Sequence, residues 1–445
     1  ADDAMMDDDK MADDAMTDAD KMADDAMMHD GKDHEIVEYT VRIENISKAY
    51  DFLASGVGGD GPIGPDGKFT FEFDAAPGNA LSFASMMVPS NDFFFAPGEA
   101  GVALFDDSGN PVTGDVTSQI SLWDAGTEAN QKPGAGSEQP LIGGPEPSTP
   151  DADTNVRLAD DAFGNLPAVN EVVKVSLESL SATRFRATIA NVSTASTIAI
   201  SDGSTSAVPL TPPLWVVHTA PAPLFSVGSP DRGEGLEVLA ETGNPAILAD
   251  SISARVGVTS PLAPGAYVVH SSADPIFTAG QTDRGEGLEG LAENGGGDAL
   301  AMAISGNEGI SAAVGFAATA NTGQPGPLFP GDAYEFTFKA ISGERLSFAT
   351  MFVQSNDLFF SSDSTGIALW NDDGSAVSGD ITSQIMLWDA GTEVNEAPGV
   401  GPNQAPRQSA IGEGVQESSA IELVSDGYSY PDTDKVIKVT ITPTK

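Results

Sequence analysis

Four aspartates stand in matched settings along this chain and offer its clearest chemistry. Asp92 follows Ser90-Asn91 and precedes three Phe residues, and Asp124 follows Trp123 and opens the turn Asp-Ala-Gly-Thr-Glu. The arrangement recurs at Asp357 and Asp389 with a constant offset (357 − 92 = 265, 389 − 124 = 265). A carboxylate beside aromatic core residues is costly unless it is paired, hydrogen-bonded or bound to a metal. Lys and Arg number 20 against 66 Asp and Glu, so an ion pair is a less available solution than usual. Two carboxylates from separate loops at one end of a sandwich, with backbone carbonyls, suit calcium, a hard cation that takes oxygen ligands. Glu128 and Glu393 are candidates to complete the two sites, and Asn91 and Asn356 to assist. The same Asp residues also suit a plainer use, capping turns through nearby backbone amides.

No enzyme constellation accompanies them. His29 and His34 lie in or just beyond an acidic N-terminal arm, while His218 and His270 are equivalent strand residues, suited to structural positions. No G-x-S-x-G elbow, H-E-x-x-H pair or phosphate-binding loop occurs. The repeated DRGEGLE has two Gly but begins with an acid and lacks Lys, a poor cradle for phosphate. A non-enzymatic role is expected. With no cysteine, disulfides, thiolate metal sites and thiol catalysis are excluded. Asn45-Ile46-Ser47 and Asn191-Val192-Ser193 are matching glycosylation sequons in expected strands, explained equally well by sugar attachment, chance or shared fold.

The elements that must position these residues are duplicated with them. Residues 81–128 and 346–393 align without a gap and are identical at 30 of 48 positions, so two tandem copies of one fold are expected. Around them run short alternating segments broken by Gly, Pro and Asp, the pattern of an antiparallel β-sandwich. YTVRIENI at 39–46 opens the first module and FRATIANV at 185–192 the second, while VVKVSL at 172–177 and VIKVTI at 436–441 close them. The expected division is an arm at 1–35, one sandwich at 36–180 and another at 181–445. WVVH at 215–218 recurs as YVVH at 267–270, and SPDRGEGLEVLAE at 229–241 as QTDRGEGLEGLAE at 281–293. This nested duplication, at about 211–310, reads as a strand, a turn and a short helix twice over. By sequence position it enlarges only the second module; the first has a Gly-rich loop at 54–68 in its place. The expected class is all-β, with one compact and one elaborated sandwich.

The arm is three copies of an eleven-residue unit, ADDAMMDDDKM, ADDAMTDADKM and ADDAMMHDGKD. Its Met and Ala follow the three-four spacing of a helical face. Thirteen Asp residues within the first 33 oppose a helix through poor propensity and mutual repulsion. The arm is expected to order only against a partner, with its Met/Ala stripe as a docking face rather than a Cu(I) site. A net charge of −46 disfavours nucleic acid and anionic lipid, and fits cations, high salt or simple solubility. No apolar run reaches the ~18 residues of a membrane span. A chain opening at Ala1 is what removal of a signal peptide leaves, so an extracellular or cell-surface location is expected.

The strings LSFASMMVPSNDFFF and WDAGTE, in that order and twice, resemble the spondin domain of F-spondin, mindin and many secreted prokaryotic proteins. The WVVH…GLEVLAE unit and GPNQAPRQ from Gly401 resemble prokaryotic members. The resemblance covers both modules and not the arm. It implies a secreted, C2-like antiparallel sandwich with calcium held by Asp92 and Asp124 in one copy and by Asp357 and Asp389 in the other. A third carboxylate found upstream in the animal proteins has a candidate in Glu72, whose counterpart is Thr337 (72 + 265 = 337), so the two sites would differ in affinity. The cysteines and thrombospondin repeats of animal members are missing, and their matrix and receptor partners do not carry over. The expectation is a secreted, non-enzymatic structural protein of the cell surface or matrix, calcium-stabilised and polymerising head to tail. Similar surfaces at both ends permit such open fibres. The alternative is a monomeric calcium-dependent adhesion or ligand-binding protein, with the arm as an acidic spacer.

Overall fold

Alternation at period two builds most of this molecule. In the computed structural model, which describes residues 35–139 and 148–444, strand Ile36–Asn45 buries Tyr39, Val41 and Ile43 completely. Lys68–Asp74 buries Phe69, Phe71 and Phe73, and Arg184–Asn191 buries Phe185, Ala187 and Ile189 in the same rhythm. One buried and one wetted face is characteristic of antiparallel sheets. Ala80–Met86 and Phe93–Pro97 are buried almost throughout because both of their faces are covered. The result is an all-β, sandwich-like architecture of several antiparallel sheets. Residues 1–34 of the arm at 1–35, and with them its expected ordering, lie outside the described residues.

Two sheet-on-sheet units form. In the first, one sheet has the order Lys68–Asp74, Arg184–Asn191, Val173–Ser179, Gly114–Asp115. It shares a core with a seven-stranded sheet running Phe52–Val57, Leu214–His218, Ala80–Met86, Phe93–Pro97, Ile120–Asp124, Arg157–Leu158, with Val102–Ala103 beside Ala80–Met86. Phe71 stacks on Trp215 across this core at 4.9 Å. Helices Leu236–Thr242 and Ala246–Ser253 cover the far face of the larger sheet through Leu236, Leu239, Leu248 and Ile252. The second unit repeats the plan. Its smaller sheet is Ala333–Ile341, Ile36–Asn45, Ile437–Thr444, Gly379–Asp380. Its larger sheet is Ile310–Phe316, Leu262–His270, Arg345–Phe352, Leu358–Ser361, Met386–Asp389, Glu422–Leu423, with Ile367–Ala368 beside Arg345–Phe352 and helices Leu288–Asn294 and Asp298–Ile304 outside.

The strand pairing does not follow a division at residue 180. Arg184–Asn191 pairs with Val173–Ser179 and Lys68–Asp74, within the first unit. Ile36–Asn45 pairs with Ala333–Ile341 and Ile437–Thr444, within the second. The nested duplication is shared out as well: Leu214–His218 joins Phe52–Val57 and Ala80–Met86, while Leu262–His270 joins Ile310–Phe316 and Arg345–Phe352. Each unit therefore owns one strand-and-helix copy, with two short helices rather than one, and neither unit is the elaborated one. The physical reason is local. A short connection returns Arg184–Asn191 to the edge of the strand just laid down, the commonest arrangement of consecutive strands.

Two connectors consequently cross between the units side by side, 46–51 in one direction and 256–261 in the other. The Asp51 and Phe52 amides donate to the Arg255 carbonyl at 3.2 Å, and Gly257 N–H donates to the Phe52 carbonyl at 3.0 Å. A Cβ at Gly257 would meet the Tyr50 ring at 2.8 Å, so any larger residue would displace that ring. Among the described residues no helix is long and apolar enough to cross a membrane.

Candidate functional site

Each unit gathers its duplicated aspartates at one corner. Ser90 Oγ donates to the Met87 carbonyl at 2.6 Å and accepts from Phe93 N–H at 3.1 Å, closing the turn that delivers Asp92. Ser355 does the same with Phe352 and Leu358, delivering Asp357. Asp124 and Asp389 end the neighbouring strands, in register with Phe93 and Leu358, and so arrive beside them.

Asp92 is fully buried, and its Oδ2 accepts from Thr127 N–H at 2.8 Å, Thr127 Oγ1 at 3.1 Å and Glu128 N–H at 3.1 Å. Its Oδ1 has no hydrogen-bond partner. Asp357 repeats this with Thr392 N–H, Thr392 Oγ1 and Glu393 N–H at 2.7, 3.2 and 3.1 Å, and its Oδ1 is likewise unpartnered. Burial pushes both carboxyls up to about 7, and the charge of the second aspartate adds to the rise. Asp124 and Asp389 cap their turns, each Oδ1 accepting from the N–H of Gly126 or Gly391 at 2.8 Å. Their Oδ2 atoms accept from Asn130 and Asn395 at 2.5 and 2.6 Å.

The other candidates are placed around these pairs. Glu128 is buried, and its backbone bridges to Pro150. Glu393 is buried, and its Oε1 accepts from Gly414 N–H at 3.1 Å and Gln416 Nε2 at 3.2 Å, holding the following loop. Asn91 and Asn356 accept from the amides of Gln131 and Glu396 at 3.2 and 3.1 Å. Glu72 stands on a solvent face, ion-paired to Arg186 at 2.8 Å. Among the described residues no group of three or more His, Cys, Asp or Glu converges to hold a metal ion.

Sequence reasoning passed over Glu241 and Glu293, the last residues of GLEVLAE and GLEGLAE. They reach the corners from helices Leu236–Thr242 and Leu288–Asn294. Thr392 Oγ1 lies 2.9 Å from Glu293 Oε1 and 3.2 Å from Asp357 Oδ2. A hydroxyl has one proton to donate, so making both contacts requires a proton on one of the two carboxyls. Burial accordingly pushes Glu293 up to about 7, and Glu241, beside Thr127, up to about 7 as well. The available signal was the recurrence of Glu at this position in both nested copies, but only the strand pairing shows that each corner receives one.

The corners diverge in the residue that stands opposite the second aspartate. Arg157 stands opposite Asp124, and Glu422 opposite Asp389. Arg157 Nη2 lies 2.6 Å from Asp124 Oδ2 and 2.5 Å from Asp151 Oδ2, while Nη1 donates to the carbonyls of Asp153 and Asn155 at 2.6 and 3.1 Å. On the second side a cavity of about 380 Å³ opens, lined by Asp389, Glu417, Glu422, Asp426, Ser425 and Tyr428 among others, with no Lys or Arg in its wall. Burial raises Asp389, and Glu417 and Asp426 add to that rise. For a calcium ion the first corner is a poor fit, because a guanidinium already neutralises Asp124. The second corner has oxygen-bearing side chains and no cation along its cavity wall, although these acids do not converge on one point.

Two further motifs are structural. Asn45 Nδ2 donates to the carbonyls of Ser260 and Leu328 at 2.9 and 2.8 Å, and Asn191 Nδ2 to those of Ile63 and Val208 at 3.1 and 2.8 Å. Both side chains are buried, so in the folded chain both sequons are internal bridges. His218 and His270 are buried with Nδ1 2.6 and 2.8 Å from the carbonyls of Ala220 and Ser272. Nδ1 therefore carries the proton, and Nε2 accepts from the hydroxyls of Ser82 and Ser347 at 2.9 and 3.0 Å. Burial holds both imidazoles below their usual pKa.

Compared with known proteins, the chain matches no family model and no curated protein.

Proposed function

We propose that this is a non-enzymatic structural protein of the cell surface or extracellular matrix, built of two spondin-like, C2-type sandwiches and assembling with copies of itself. The observation that carries the reading is the duplicated corner. In both units the shared polar residues tie loop ends to a buried carboxylate, Asp92 to Thr127 and Glu128, and Asp357 to Thr392 and Glu393. That is the work of a scaffold.

Calcium belongs to this reading at the second corner, where Asp389, Glu417, Glu422 and Asp426 line one cavity and would move together to hold the ion. The ion would provide there the charge compensation that Arg157 gives the first. The net charge of −46 favours surroundings rich in cations, in keeping with a location outside the cell.

Calorimetry in calcium and in chelator, with metal analysis by mass spectrometry, tests the ion. The second unit should melt earlier in chelator and recover with calcium; unchanged melting and no bound metal overturn that part. Negative-stain microscopy of the native protein tests assembly. Filaments are expected, and monodisperse single particles at every salt and calcium concentration favour the monomeric adhesion protein instead.

A further inference from the structure

Strand Ile36–Asn45 completes a sheet whose other members come from the opposite end of the chain. It pairs through nine residues with Ala333–Ile341 and through eight with Ile437–Thr444, so it is a central strand. Tyr39, Val41 and Ile43 are fully buried in the core.

In the first unit the equivalent place belongs to Arg184–Asn191, and the match holds side chain by side chain. Phe185 stacks on Phe73 at 6.0 Å as Tyr39 stacks on Phe338 at 5.6 Å. Asn191 bridges two carbonyls at the strand end as Asn45 does. Only the tether differs. Arg184–Asn191 follows its neighbour Val173–Ser179 by a tight turn, whereas Ile36–Asn45 and its neighbour Ile437–Thr444 lie near opposite ends of the chain. The strand is held to the rest of the molecule through residues 46–51, in which Ile46, Lys48, Ala49 and Asp51 are exposed.

We propose that this strand is exchanged between copies of the chain, Ile36–Asn45 of one copy completing the second unit of another. The inference rests on the assembly reading above and supplies its contact. A vacated groove would present two rows of unpaired N–H and C=O groups, with pockets for Tyr39, Val41 and Ile43 and two carbonyls awaiting Asn45. The segment that satisfies all of these is the same strand of a second copy. Paired contacts are then identical in the closed and exchanged forms, so the balance is set by the linker and by concentration.

The absence of cysteine makes the test clean. Thr40 and Thr442 are register partners, and neither is buried. The full-length double variant Thr40→Cys/Thr442→Cys, oxidised in dilute solution, should form a bond within one chain and lock the strand at home. Isotope-labelled Thr40→Cys chain mixed with unlabelled Thr442→Cys chain, assembled in calcium and oxidised, should yield a disulfide between the two chains, read by mass spectrometry. The locked variant should not assemble until it is reduced.

Assemblies that form without the cross-chain bond, or from locked chains, overturn the exchange and leave assembly to another contact. Cross-chain bonds in closed dimers alone uphold the exchange and overturn the filament. Monomers under every condition overturn both. Should the threonine variants fail to fold, Glu44→Cys with Lys438→Cys, another pair in the same register, repeats the measurement.

Discussion

The two acidic corners share their turns, their buried aspartate and the three donors on its Oδ2, and they differ in what stands opposite the second aspartate. At the first, Arg157 closes on Asp124 and Asp151. At the second, Glu422 takes that place and a cavity walled by carboxylates opens beside Asp389. Both face the same problem, a pair of acids that burial makes costly. At the first corner the chain itself supplies a cation beside Asp124. At the second no Lys or Arg lines the cavity beside Asp389. Duplication has kept the turn geometry but not the guanidinium.

The largest expected effect strikes both corners together and would blur the contrast. Without divalent cations, Asp92 and Asp357 have folded pKa values of about 7 against a reference of 3.8, and Glu241 and Glu293 about 7 against 4.5. Groups raised in the folded state hold protons that the unfolded chain releases. The stability they contribute is complete below the unfolded pKa and is lost as pH rises through the folded one. With allowance for solvent screening at the glutamates, the loss from about pH 5 to about pH 8 is on the order of several kcal/mol. Thermal denaturation in chelator should show the midpoint falling across that range; a flat profile would mean that these acids are ionised in the native state.

Arg157→Glu should turn the first corner into a copy of the second. It strips the cation from Asp124, which is 1 % exposed, and should destabilise the chelated protein by about 3 kcal/mol. Calcium should restore much of the loss, as seen by denaturant titration. If the variant is as stable as the parent in chelator, the ion pair is not what holds that corner.

Calcium should separate the two units. A ligand selective for the folded state adds roughly 2.7 kcal/mol at a hundredfold excess over its Kd. Hydrogen exchange should show that protection in Arg345–Phe352 and Met386–Asp389 and leave Ala80–Met86 and Ile120–Asp124 unchanged. Asp389→Asn should weaken the response, and Asp124→Asn should leave it in place. Equal protection of both units breaks the comparison.

The smallest effect is the converse graft. Glu422→Arg should stabilise the second unit in chelator by about 1 kcal/mol and abolish its response to calcium. A persistent calcium response would place the ion away from Glu422.

Much of this could be read along the chain because its causes are local. Period-two alternation put Phe69, Phe71 and Phe73 inward, and Ser90 and Ser355 closed their turns within three residues. The 265-residue offset matches Asp92 with Asp357 and Asp124 with Asp389. Arg157 was not legible, because its place opposite Asp124 depends on the register of a two-residue strand beyond a long loop. Glu241 and Glu293 were not legible either, since the helices that carry them could be assigned only after their sheets were.

The sequence by itself determined the alternating strands at 39–46, 172–177, 185–192 and 436–441, the duplicated aspartates and the acidic excess around them, but it read as loop the stretch where Phe52–Val57 pairs with Leu214–His218. It did not determine which strand belongs to which sheet. YTVRIEN and FRATIAN alternate alike and end in the same Asn, so by pattern either would complete either unit. Only the tertiary structure decided. A tight turn holds Arg184–Asn191 to the sheet it has just left, and the edge left open at the other end of the chain is filled by Ile36–Asn45. Side-chain periodicity is set residue by residue, whereas pairing is a competition among distant edges that is settled when the whole chain is in place.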